Sequence, residues 1–130
     1  MTLRRVSITA LTDSGGDATL YTDPVSGFLD NVYMTYIDGA TGADYTITEE
    51  STGRALLTIT NAATSSVGWR PRVGGHPIAN TGAGTIIPGA TTTGGDGNAD
   101  LMNPVVGRIK VVVAGGGDTL SNTLSFDIVR

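Results

Sequence analysis

Short runs of alternating apolar and polar residues, rich in Val, Ile and Thr and closed by Gly, Pro or Asp, recur along this chain at intervals of roughly 8–12 residues. Alternation with period two puts one face of each run in a core and the other in water, so the pattern specifies strands. Arg4–Leu11 carries Val6, Ile8 and Ala10 on one face, and Ala18–Thr22 follows it after a turn at Asp13–Asp17, which predicts a hairpin. Phe28–Ile37 directs Val32, Met34 and Tyr36 one way and Tyr33, Thr35 and Ile37 the other. Asp44–Glu49 and Arg54–Asn61 are joined by Glu50–Gly53. Val67–Val73 is a further strand, which Pro71 confines to an edge or ends early. Met102–Val106, Arg108–Ala114 (Ile109, Val111 and Val113 inward) and Leu120–Val129 (Leu124, Phe126 and Ile128 on one face) follow.

No segment sustains a helical period beyond about two turns. About eight strands in a single domain over residues 1–130 predict an antiparallel β-sandwich, with a jelly roll as the first architecture and an immunoglobulin-like arrangement as the second. The glycine clusters Gly15-Gly16 and Gly115-Gly116-Gly117 precede no helix, so they lack the dipole of a phosphate cradle and read as hairpin turns.

One stretch breaks the rhythm. Arg72–Leu101 runs for thirty residues with eight glycines and the triplet Thr91-Thr92-Thr93, and its apolar residues do not alternate. Connections of that length inside a small domain are usually binding loops or segments ordered by a partner. The expectation is a long Gly/Thr-rich loop or arm over 72–101, whose Ile78, Ile86, Ile87 and Pro88 are available for burial against a neighbour.

Composition narrows the function classes. With one Trp, two Phe and four Tyr, the core must come mainly from Val, Ile, Leu and Ala. A formal charge of −4 with a single lysine, Lys110, disfavours non-specific nucleic-acid binding. The basic groups Arg4-Arg5, Arg70/Arg72 and Arg108/Lys110 read as solvated strand faces or inter-subunit partners; the last two pairs, at alternate positions, each lie on one strand face. The absence of cysteine excludes disulfides and thiolate chemistry. The longest apolar run, Val111–Ala114, is too short for a membrane span or a signal core, so no membrane partner is expected.

The residue chemistry argues against an enzyme and against a bound cofactor. His76 is the lone histidine, and no Gly-x-Ser-x-Gly elbow or two-histidine zinc motif accompanies it. Asp96, Asn98 and Asp100 alternate like the first half of a calcium loop, but the twelfth position is Gly107, which favours a solvated turn over a cation site. Glu49 and Glu50 are adjacent and point to opposite faces, so they cannot act as a glycosidase pair. Trp69, in Gly68-Trp69-Arg70-Pro71-Arg72, is either a core or sheet-rim residue or an interface anchor.

Several stretches together resemble a group of small structural proteins of tailed bacteriophages. They are Asp44-Tyr45-Thr46-Ile47-Thr48-Glu49-Glu50, Leu56–Asn61, Trp69-Arg70-Pro71-Arg72 and Gly107–Gly117. The resemblance implies a virion protein, most simply a capsid decoration (cement) protein. Its partners would then be the major capsid protein and copies of itself, often as a homotrimer. Other virion positions (neck, tail or head fibre), a carbohydrate-binding module and a hydrolase using His76 stay open as alternatives. Interface residues are expected among Trp69, Arg70, Arg72, His76, Ile86 and Ile87.

Overall fold

The computed structural model describes residues 2–73 and 101–130. They form strands β1 (Leu3–Leu11), β2 (Ala18–Tyr21), β3 (Val25–Tyr36), β4 (Asp44–Glu49), β5 (Ala55–Ile59), β6 (Val67–Trp69), β7 (Arg72–Val73), β8 (Leu101–Gly107), β9 (Ile109–Ala114) and β10 (Ser121–Val129), and no helix. A six-stranded antiparallel sheet has the order β1-β10-β3-β8-β7, and a four-stranded one has the order β2-β9-β4-β5. Strand β3 is long enough to take two neighbours along one edge, β8 against Val25–Leu29 and β6 against Val32–Met34.

The inward residues follow the sequence alternation closely. Val32 and Met34 of β3, Ile109, Val111 and Val113 of β9, and Leu124, Phe126 and Ile128 of β10 are all at most 1% exposed. They join Tyr45 and Ile47 of β4, Leu56 and Ile59 of β5 and Val105 of β8 in one apolar cluster to which both sheets contribute. Removing this surface from water is the main favourable term in folding. Phe126 is the largest of the fully buried side chains, and it sits on a strand flanked on both sides.

Alternation assigns a face but not a neighbour, and here the sequence expectation needs correction. Strands β1 and β2 do not form a hairpin: β1 pairs β10 along nine residues, and β2 pairs β9. The Gly115–Asp118 turn likewise leads from β9 in one sheet to β10 in the other. The two glycine turns meet instead. Gly116 donates its amide to Gly16 O at 2.8 Å, and Thr119 donates to Asp13 O at 3.1 Å. Turn residues that permit a reversal serve a crossing between sheets equally well, and mutual hydrogen bonding between the two turns stabilises the crossing. A second correction concerns Val67–Val73, which splits into β6 and β7 around Arg70-Pro71. Proline lacks the amide needed to continue a ladder. Arg72, Val73 and Leu101, expected in the loop, pair in β7 and β8, with Arg72 opposite Met102 and Val73 opposite Leu101.

Gly27 shows how tightly the strands converge. Its φ is +150°, and a Cβ there would meet the Val129 carbonyl oxygen and lie 2.9 Å from Ile128 Cγ2. Where the chain crosses between sheets, buried polar side chains satisfy the backbone. Asn122 on β10 accepts from the amides of Ile37 (2.9 Å) and Gly39 (3.3 Å) and donates to the hydroxyl of Tyr45, in the opposite sheet, at 2.9 Å. Asn122→Ala removes the partner of three polar groups, of which the Gly39 amide and the Tyr45 hydroxyl are buried, and should cost about 2–4 kcal/mol. Phe126→Ala should cost about 3–5 kcal/mol by leaving a cavity. Urea unfolding followed by circular dichroism measures both.

Candidate functional site

The alternation of β3 slips once. Leu29 pairs with Ile128 and Asn31 with Asp127, so Asp30 has no partner on β10 and forms a bulge. A bulge bends the strand and re-aims a side chain. At this bulge Asp30 receives two arginines, Arg70 from the link between β6 and β7 and Arg72 from β7 itself. Arg72 donates from Nη2 to Asp30 Oδ1 at 2.7 Å and from Nη1 to the Asp30 carbonyl at 2.8 Å. Arg70 donates from Nη2 to the same Oδ1 at 3.0 Å. Arg72 is largely buried at 17% side-chain exposure, whereas Arg70 stands out at 69%. The hydrogen bond from Arg70 holds the Asp30 carboxyl below the usual carboxylate range, and Arg72 adds to it against an opposing contribution from burial. Pro71, between the arginines, is buried.

Trp69 pairs with Val32, two residues along from Asp30, and packs, half-buried, against the core. The structure therefore brings Arg70 and Arg72 together on Asp30, with Trp69 next in sequence and packed on the core. Because Val73 pairs with Leu101, the chain leaves β7 and re-enters β8 at neighbouring points beside this cluster. His76, Ile86 and Ile87 lie outside the described residues, as do Asp96, Asn98 and Asp100. Asp30 was absent from the sequence expectation. Its signal was the three-residue step from Leu29 to Val32 where a strand should step by two.

Three further ion pairs form among the described residues, Arg5–Asp127, Arg54–Glu49 and Arg108–Glu50. Asp127 accepts from Arg5 at 2.6 Å and 3.0 Å, and this bond lowers its carboxyl against the opposing effect of burial. Glu50 binds Arg108, whose guanidinium lies 4.4 Å from the centroid of the Tyr21 ring. Lys110 adds its positive charge to the environment of Glu50. Glu49 lines a cavity of about 410 Å³ with Ser51, Thr52, Arg54, Pro104 and Val106. Burial raises its carboxyl, but the Thr52 hydroxyl at 2.6 Å, the Val106 amide at 2.9 Å and the charge of Arg54 outweigh this, and the net shift is downward. These contacts tie the β4–β5 hairpin to β8.

No family model matches the chain, and no curated protein or solved structure is a significant match to it.

Asp30→Asn removes the anion from two arginines and should cost about 1–2 kcal/mol, between the limits for exposed and buried pairs. Arg70→Ala should cost under about 1 kcal/mol, because its side chain is largely solvated. Chemical denaturation of both variants checks the asymmetry. The carboxyls of Asp30, Glu49, Glu50 and Asp127 are all lowered in the folded state. Their contribution is complete above the unfolded values near about pH 4 and is lost as pH falls through the lower folded values. The thermal midpoint should therefore drop steeply on acidification below that range and stay nearly level above it.

Proposed function

We propose that this chain is a jelly-roll β-sandwich acting as a bacteriophage virion structural protein, most simply a capsid decoration protein that binds the outside of the head. The observation that carries the architectural half is strand order. With the short β6 and β7 set aside, the sheets run β1-β10-β3-β8 and β2-β9-β4-β5. Successive strands of the first three alternate between the sheets, and the last three do so again, as two interleaved Greek keys require. Jelly rolls recur in viral capsid and lectin domains, so the architecture is compatible with the role without deciding it. The role itself rests on the resemblance of the strand and turn motifs and on the cluster at residues 69–72.

Two features support binding over catalysis. The buried carboxylates described here are engaged in structural hydrogen bonds and ion pairs. Exposed apolar side chains are plentiful for so small a chain: Leu3, Leu11, Phe28, Ile37, Leu101 and Val106 are each at least 44% exposed. Strands β7 and β8, on either side of residues 74–100 in sequence, pair directly with one another.

On this proposal, replacing residues 74–100 by an Asn-Gly turn yields a folded chain, because β7 and β8 already lie side by side. The variant should lose binding to undecorated heads of the phage that encodes the chain, measured by co-sedimentation. Full binding would remove the insertion as anchor. Failure of the unaltered chain to bind heads, with antibody labelling in one ring at the neck or tail, would move the protein to another virion position.

A further inference from the structure

We infer that β1 is a pairing edge for a second copy of this chain, joining two six-stranded sheets across a two-fold axis at Ser7. The inference does not rest on the virion reading. Strand β1 has β10 on one side and no described residue hydrogen-bonded along the other. It is nine residues long, its register with β10 is unbroken, and it contains neither proline nor lysine. Such edges are templates for strand addition, which proteins ordinarily blunt with bulges, prolines or short strands. The other edges are blunted in these ways. Among the described residues, β2 has four residues, β5 has five beside a register shift, β6 has three, and β7 has two next to Pro71.

The hydrogen-bond phase identifies the groups on offer. Thr2 and Arg130 exchange both amide bonds, and Thr12 donates to Leu120 O. The even-numbered residues of β1 therefore face β10, and the free amides and carbonyls belong to Leu3, Arg5, Ser7, Thr9 and Leu11. All five of these residues are exposed.

The sequence of β1 then selects the register. Antiparallel pairing about Ser7 places Leu3 opposite the other copy's Leu11, Arg5 opposite Thr9, and Ser7 opposite itself. Every free group finds a partner, in about ten hydrogen bonds. Leu3 and Leu11, 60% and 56% exposed, cover one another at both ends. On the inner face Val6 meets Ile8, and both are only partly buried at the rim of the core. Sliding the axis two residues toward the start sets Arg5 against Arg5, a like-charge pair that destabilises sheets. Sliding it the other way leaves Leu3 unpaired. In the Ser7 register each Arg5 keeps its own Asp127.

Because the chain has no cysteine, introduced ones report the register cleanly. Across the axis Ser7 lies about 5.5 Å from its mate, whereas Leu3 lies eight residues, about 27 Å, from its own mate. A short bismaleimide should link Ser7→Cys chains into pairs. It should leave Leu3→Cys and Leu11→Cys chains single and link an equimolar mixture of the two. Light scattering of the unaltered chain should give an even number of copies, and Ser7→Pro should halve that mass with an unchanged far-ultraviolet spectrum. A monomeric unaltered chain, no linking of Ser7→Cys, or equal linking of Leu3→Cys alone each overturns the inference. Head binding by a chain that fails these tests would leave the virion proposal standing.

Discussion

The two sheets depend on buried polar side chains stationed where the chain passes between them. A crossing without a helix leaves backbone amides and carbonyls inside the fold, and each must find a partner. Thr12 donates to Gly117 O at 2.6 Å and accepts from Leu120 N at 3.1 Å, which fastens the end of β1 to the turn before β10. Thr22 accepts from Ile109 N at 3.0 Å at the exit of β2. Asn122 holds the exit of β3 through Ile37 and Gly39, and Glu49 holds the β4–β5 hairpin to Val106. The apolar core supplies most of the favourable energy but is indifferent to which strand follows which. These four residues make the wrapping specific.

This division explains what could be read from the chain beforehand. The faces of β3, β9 and β10 were legible because alternation directly encodes burial, and Val32, Ile109, Val111, Val113, Leu124, Phe126 and Ile128 are all in the core. Partner choice was not legible. Asp13–Asp17 is ordinary turn chemistry, and nothing local distinguishes a reversal within one sheet from a passage to the other. The deciding contacts, such as Thr12 with Gly117, span more than a hundred residues of chain.

The site follows the same logic. Arg70 and Arg72 were expected to share a strand face, and they do share a partner, but across an interruption of the strand at Pro71 and not through strand geometry. The residue that unites them, Asp30, is placed by a bulge. A bulge shows in sequence only as a slip of phase between two otherwise regular halves of a strand. Trp69 packs half-buried against the core from the short strand β6.

The two proposed contact regions lie on opposite margins of one sheet. β1 forms one edge and β7 the other, with β10, β3 and β8 between them. Four strand spacings separate the edges by about 19 Å, beyond the range at which substitutions normally couple. A two-fold contact at β1 closes on itself after two copies, so it cannot generate a trimer. Any three-fold association must use a different surface. The margin carrying Trp69, Arg70 and Arg72 lies outside the β1 contact. Used together, a two-fold at one margin and a three-fold at the other would build assemblies in multiples of six. Used singly, each would leave the other margin open to a different partner.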